Sequence, residues 1–325
     1  MPRTVEVIGA PADYGANRRG VDMGPSAIRY GGLPDQLASA SVDVADRGDL
    51  SVTRAEQAGH GPLARPEGDT DRPGDGPSDT DAAVDGRARF LPQVRDVCER
   101  LRERVADALA AGRFPLVLGG DHSIAIGTLA GAGADVESLG VLWFDAHGDF
   151  NTPATTPSGN VHGMSLAAAL GRGTFADRAW ARTGALDPAN VALVGLRDLD
   201  PGERTALQNS DASAYTISDV DDRGLGTVVD EALAVASDGV DALHVSLDLD
   251  WLDPSVAPGV GTQVRGGVTY REAHSAMEAV ASHHEETGLV ASMELVEVNP
   301  TLDRHNETAE LAAELAASAL GKRVL

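Results

Sequence analysis

The stretch "LGVLWFDAHGDFN", residues 139 to 151, carries an apolar run straight into three ionisable side chains at alternate positions, Asp145, His147 and Asp149. Val, Leu, Trp and Phe in succession, with no polar residue between them, read as a strand buried on both faces. Five further runs share that character: "TVEVIGA" (4–10), "FPLVLGG" (114–120), "NVALVGL" (190–196), "DALHVSLD" (241–248) and "LVASMEL" (289–295). Helix-like segments lie between them, among them 92–111, 163–171, 226–237, 270–287 and 307–320. This alternation predicts an α/β protein with three αβα layers, in which helices cover both faces of a central, mainly parallel sheet. No internal repeat is evident.

At 325 residues the chain is long enough for a substantial core. Acidic residues outnumber basic ones 50 to 26, giving a formal charge of -24. Repulsion excludes a bare nucleic-acid backbone or an anionic membrane surface as a partner. Lys322 is the sole lysine, every other basic residue being arginine. A carboxylate-rich, lysine-poor surface matches salt-adapted cytoplasmic proteins, where high ionic strength screens the self-repulsion. A GC-rich coding bias is the plainer alternative. Cys98 stands alone, so no intrachain disulfide forms, and "RDVCERLRERV" places it on the buried face of a helix. The N-terminus lacks a signal pattern, and no apolar run approaches the roughly 20 residues of a membrane span. The expectation is a soluble, cytoplasmic protein.

Residues 53 to 89 combine clustered Gly and Pro with many Asp and almost no large apolar side chains. Such a segment buries too little surface to offset its ordering entropy, so it reads as a long, mobile surface loop, with His60 solvated in it. Strand patterns continue on both sides without a second core-sized block. One domain spanning 1–325, with an acidic insertion at about 53–89, is therefore expected.

The other strand ends repeat the feature of the opening stretch. "PLVLGGDHS" ends in Asp121 and His122, and "VALVGLRDLDPGE" in Asp198, Asp200 and Glu203. "ALHVSLDLDWLDP" carries Asp248, Asp250 and Asp253, and "SMELVEVNP" carries Glu294 and Glu297. Ligands of open α/β sheets bind beyond the carboxyl ends of the strands, so one rim would collect all these groups. So many anions cannot share a crevice unprotonated without a cation. Residues i, i+2 and i+4 of an extended chain point the same way, which lets Asp145, His147 and Asp149 converge, as do Asp248 and Asp250. With His122 the set is two His and four Asp. Six mostly oxygen ligands exceed one tetrahedral zinc and suit manganese, so two manganese ions are inferred. Taken singly, each Asp would be an ordinary cap. His244 shares a strand face with Ser246 and Asp248 and is expected to hydrogen-bond behind the ligands. His274, His283, His284 and His305 read as surface residues, and Gly119–Gly120 is too short for a phosphate loop.

These residues resemble the ureohydrolase family, the arginases in particular. The similarity runs from "GAPADYGANRRGVDMGPSAIR" through "GGDHS", "DAHGDFNTP", "SGNVHGM", "GLRDLDPGE", "SLDLDWLDP" and "GVTYRE" to "VEVNP", nearly everything outside the acidic segment. The resemblance implies that one manganese takes His122, Asp145, Asp149 and Asp248, and the other His147, Asp145, Asp248 and Asp250. It also implies that a water between the ions becomes the nucleophile that attacks the guanidinium carbon, yielding urea and an amine. Asp149 would accept a hydrogen bond from that nucleophile, His162 would shuttle a proton, and Glu297 would pair with the substrate guanidinium.

The family's outer rim decides the substrate. Asn151, Ser158 and Asn160 match positions that contact the α-carboxylate of L-arginine, and Asp200 the position that meets its α-ammonium. Glu203 lies nearby, and Thr262 in a segment that lines the cleft. The resemblance thus implies a manganese-dependent arginase, assembled as a homotrimer or homohexamer. Agmatine or another guanidino compound, such as guanidinobutyrate, is the rival substrate. A metal-binding scaffold without turnover and a single-zinc amide hydrolase of the related deacetylase fold are more distant alternatives. Retention of all six ligands and His162 opposes the former, and the pairing of Asp145 with Asp250 the latter.

Overall fold

The structure, a computed structural model, describes residues 4–16, 18–53 and 87–323. The loop expected at 53–89, with His60, therefore lies outside the described residues except at its two ends. All six apolar runs form strands: β1 Thr4–Ala10, β3 Phe114–Gly119, β4 Leu139–Phe144, β5 Leu186–Leu196, β7 Ala242–Asp248 and β8 Val290–Val296. Two further strands, β2 Asp43–Asp49 and β6 Ser213–Thr216, were not expected. They form the two edges of one eight-stranded sheet of order β2-β1-β3-β8-β7-β4-β5-β6. Every neighbouring pair is parallel. Charged side chains fill β2, largely exposed, and that is how an edge strand avoids pairing with a second chain. The same charges hide it in the sequence.

Successive side chains of each strand face opposite layers. Leu142 and Phe144 of β4, with Val245 and Leu247 of β7, pack into a continuous core beneath helices Leu225–Ala236, Tyr270–Thr287 and Glu307–Ala319. Val141 and Trp143 face the other layer, where helices Leu91–Ala110 and Ala125–Ala132 lie. On that side the apolar packing falls into two separate clusters. The central strands place His244, Ser246, Ser292 and Glu294 between them, all fully buried. Cys98 is buried as expected, its Sγ 3.4 Å from the Ser123 carbonyl. Among the described residues no helix is long and apolar enough to cross a membrane.

The strand order positions the site. The five ends rich in carboxylates belong to β3, β8, β7, β4 and β5, which are consecutive in the sheet. The Gly119–Gly120 pair serves packing here: a Cβ on Gly120 would stand 1.8 Å from the Ala12 carbonyl oxygen. Gly120 also donates to Ala10 O at 2.9 Å and accepts from Glu297 N–H at 2.9 Å, joining β1, β3 and β8 where the strands end. Because the obstructing atom is backbone, it cannot swing aside. Gly120→Ala should therefore destabilise the fold by about 1–3 kcal/mol, the usual range for overpacking. Urea unfolding checks this, and an unchanged midpoint would refute the packing role.

Candidate metal centre

Each ligand-bearing turn is fixed by its own backbone. Asp121 accepts the N–H of Ser123 and of Gly15, both at 2.9 Å, and so caps the short 3-10 turn His122–Ile124. Asp145 accepts the His147 N–H at 2.7 Å, and Asp248 the Asp250 N–H at 2.7 Å. Asp149 (φ 50) and Glu297 (φ 65) are non-glycine residues in left-handed backbone. Such conformations cost of order 1–3 kcal/mol each and persist where the surroundings over-determine them.

The six expected ligands come together. His122 Nδ1 lies 3.2 Å from Asp145 Oδ2, 3.0 Å from Asp149 Oδ2 and 3.2 Å from Asp248 Oδ2. His147 Nδ1 lies 3.0 Å from Asp250 Oδ2 and 3.5 Å from Asp145 Oδ1. Two groups with convergent ligand atoms result, His122–Asp145–Asp149 and Asp145–His147–Asp250, with Asp145 common to both. Other polar contacts aim the carboxylates. Trp143 Nε1 donates to Asp145 at 3.0 Å, Ser165 Oγ to Asp149 at 3.1 Å and Thr262 Oγ1 to Asp250 at 2.8 Å. The Trp143 ring stacks on His122, 4.2 Å between centroids and 9° between planes.

Hydrogen-bond polarity tests whether this set fits a cation. Ser246 has one hydroxyl proton and donates it to Glu294 Oε1 at 2.8 Å. Its oxygen then accepts from His122 Nε2, also at 2.8 Å. Nε2 therefore carries the ring proton, and Nδ1 turns a lone pair toward three carboxylates. That buried Nδ1 has no hydrogen-bond partner. Lone pairs in such a group repel unless a proton or a metal ion sits among them, so the donor set fits a cation. Protonation follows the same logic. Burial would lower the His122 pKa, but Asp145, Asp149 and Asp248 outweigh it and hold the imidazole well above its usual value. Burial, then Asp145, raises Asp149, while burial, then Asp250 and Asp145, raises Asp248.

A cavity of about 190 Å³ opens above these groups. Its walls include the metal-type residues His122, His147, Asp149, Asp248 and Asp250, and the rim residues Asn151, Ser158, Asn160, His162, Asp200, Glu203 and Thr262. Asp145 and Glu297 sit beneath it, 1% and 2% exposed. His162 Nδ1 meets Glu297 Oε1 at 2.9 Å. Burial opposes its charge, yet Glu297 raises the imidazole to about 9. Asn151 Nδ2 donates to Asp200 Oδ2 at 2.7 Å, and Asp200 Oδ1 caps helix Pro201–Gln208. Burial, then Asp149 and Asp200, pushes Glu203 up to about 8.

Not every acidic strand end contributes. Asp198 is exposed, 3.8 Å from His147 Nε2, and Asp253 closes a turn with Ser255 and Gly266. His244 stands two steps from the nearest ligand, bonded to Ser292 at 2.8 Å. Of the histidines expected at the surface, His305 is exposed, whereas His274, His283 and His284 are partly buried. Sequence reasoning missed Trp143, Ser165 and Thr156. Trp143 was available from strand alternation, standing two residues before Asp145. Thr156 reaches the site through irregular backbone, which has no period to read, while Ser165 opens the short helix Ser165–Ala169 inside the helix-like segment 163–171, where nothing in the pattern says which side chain meets Asp149.

Comparison with known proteins places the chain among relatives along its whole length. A model described as "Arginase family" matches residues 3–321. Curated arginases of Bacillus caldovelox and Brevibacillus brevis are each 44% identical, covering 99% and 100% of this chain and 100% of their own lengths. The solved structure of the Bacillus caldovelox arginase is 43% identical with a TM-score of 0.86, covering 99% of this chain and 100% of that one.

Groups held protonated by one another should lose those protons to a metal. Adding Mn2+ to metal-stripped protein at neutral pH should release protons, bind more tightly as pH rises and raise the unfolding temperature. Calorimetry in buffers of different ionisation enthalpy measures the release, and heats independent of the buffer would contradict the assignment.

Proposed function

Because the chain belongs to the arginase family, we propose that it hydrolyses L-arginine to L-ornithine and urea, with two Mn2+ ions per subunit. The carrying observation is that one cavity holds both the cation-seeking His/Asp set and a polar rim. His122, Asp145, Asp149 and Asp248 would hold one ion, and His147, Asp145, Asp248 and Asp250 the other. Divalent cations held there would supply the Lewis acidity that turns water, of pKa about 15.7, into a nucleophile near neutral pH.

The chain's own residues do the rest. Asp149, steadied by Ser165, accepts a hydrogen bond from the nucleophile and carries its proton. His162, held protonated at neutral pH beside Glu297, donates the proton on its Nε2 to the leaving amine as a general acid. Glu297 binds the substrate guanidinium, the pairing for which a carboxylate's two oxygens are suited. Asn151, Ser158 and Asn160 supply the donors for the α-carboxylate. Asp200 and Glu203 receive the α-ammonium, and the elevated Glu203 pKa supports this, because a substrate cation relieves the crowding that raises it. Thr262 orients Asp250. Agmatine lacks the carboxylate and leaves the Ser158 hydroxyl and the Asn151 amide proton not given to Asp200 unanswered.

Urea release from L-arginine and agmatine, side by side with Mn2+ and an EDTA control, tests the reading. Arginine turnover should dominate and vanish with EDTA, and agmatine turnover alone would overturn the rim assignment. His162→Asn should lower kcat by about 10²-fold or more, the usual loss for a general acid. Ser158→Ala should raise KM for L-arginine by about tenfold, or 1.4 kcal/mol, with little change for agmatine.

The same proposal takes the chain as one catalytic domain, cytoplasmic and assembled as a homotrimer or homohexamer in high salt. The charge of -24 supports the salt requirement. KCl should raise the unfolding temperature steeply up to molar concentration, and full cooperative stability at low ionic strength would refute salt adaptation.

A further inference from the structure

Behind the candidate metal centre lies a row of polar side chains that the proposed reaction does not use. The register of β7 against β8 pairs His244 with Ser292 and Ser246 with Glu294. All four are fully buried. His244 Nδ1 meets Ser292 Oγ at 2.8 Å, and His244 Nε2 stands 3.5 Å from Glu294 Oε1. Glu294 Oε1 accepts from Ser246, whose oxygen meets His122 Nε2. The row thus runs from the sheet interior to one ligand and ends there.

Burying four polar groups in a central sheet position is costly compared with the apolar side chains that fill the same layer on both sides. The row also interrupts the packing of that layer, which a purely structural feature would have no reason to do. Its polarity shows what it accomplishes. An ionised carboxylate is acceptor-only, so Glu294 fixes the direction of the Ser246 proton. Ser246 in turn fixes the proton of His122 on Nε2, and only then is Nδ1 free to bind a metal. Were the hydroxyl reversed, it would donate to Nε2 and leave the ring proton on Nδ1, where the metal should sit. His244 packs against Glu294 from the interior side, its Nε2 3.5 Å from Oε1.

We infer that Glu294 is a positioning residue for the metal site, acting through Ser246 to set the tautomer and direction of His122, with His244 and Ser292 packed behind it. The inference rests on the metal reading and predicts an asymmetry within it. Of the two ions, only the one that takes His122 should feel the row.

Mn2+ titration of the metal-stripped full chain, followed by calorimetry and electron paramagnetic resonance, tests it on wild type, Glu294→Gln, Ser246→Ala and the double variant. Wild type should take up two ions and show the spectrum of a coupled pair. Glu294→Gln, which replaces an acceptor-only carboxylate by an amide that can also donate to Ser246, should weaken one site by about 10–100-fold, the scale of an outer hydrogen-bond change behind a ligand. The other site should change less than about twofold, and the spectrum at limiting Mn2+ should become that of an isolated ion. Ser246→Ala should match it, and the double variant should add little, because both act on one bond to His122. Nitrogen-15 spectra of labelled histidine should show the Nε2–H tautomer of His122 in wild type and its loss in Glu294→Gln. Two tight sites in Glu294→Gln, additive losses, or equal weakening of both sites would each overturn the inference. Should Glu294→Gln fail to fold, Ser246→Ala, which removes one oxygen, carries the test alone. Wild type that binds no Mn2+ would sink the metal reading itself, a failure distinct from wild-type binding that Glu294→Gln leaves unchanged.

Discussion

The structure depends on one electrostatic constraint: four carboxylates and two imidazoles share a place from which water is largely excluded. Removing an ion from water costs several kcal/mol even after relaxation, and grouping like charges adds repulsion. A lone pair of His122 aimed at three carboxylates states the problem in its sharpest form. Only positive charge resolves it. The parallel sheet then follows as the means of assembly, since strands running the same way deliver all their carboxyl ends to one rim. Antiparallel neighbours would have sent half of these residues to the opposite edge. The left-handed backbone at Asp149 and Glu297 belongs to the same account. Both residues stand where the chain must turn sharply to aim a carboxylate inward.

That rim is costly to the protein beyond the ligands themselves. One face of the sheet carries an unbroken apolar core, while the other gives up its centre to His244, Ser246, Ser292 and Glu294. Stability is carried mainly by the first face and by close helix contacts on the second. Gly127 illustrates the latter, since a Cβ there would stand 2.6 Å from the Cys98 carbonyl oxygen. Tight helix packing on either side of the polar row offsets what the row itself forfeits.

How much of this was legible in the sequence varied with physical cause. Buried strands are read from unbroken apolar runs, and all six such runs became strands. The edge strands Asp43–Asp49 and Ser213–Thr216 were invisible because an edge needs charge or brevity rather than apolarity. The six metal-type residues were legible as a pattern of His and Asp at strand ends, but not for the reason the alternation suggests: β4 stops at Phe144 and β7 at Asp248, so Asp145, His147, Asp149 and Asp250 converge through tight turns, with Asp149 in left-handed backbone. Glu294 was noticed only as one more acidic strand end, and its separate place behind Ser246 emerged from the register of β7 with β8. Register is a property of two strands at once, and neither strand's sequence states it. Thr156 illustrates a different limit, as it reaches the cavity from irregular backbone whose geometry depends on what it packs against.

The overall charge raises a question that the local geometry answers. A chain of formal charge -24 draws cations of every kind toward it, including metal ions and guanidinium compounds. That field pulls harder on agmatine, a dication, than on L-arginine, whose carboxylate leaves it a net charge of about +1 at neutral pH. Taken alone, the field therefore favours the wrong substrate under the proposed reading. It also reaches only about 8–10 Å at physiological ionic strength, and less in molar salt. Discrimination must then come from groups that touch the carboxylate, where a donor left unpaired costs free energy whatever the salt. Asn151, Ser158 and Asn160 are uncharged and set in an otherwise acidic mouth, so they can greet a carboxylate without adding to the repulsion around it. High salt would sharpen this division by silencing the long-range preference while leaving the short hydrogen bonds intact.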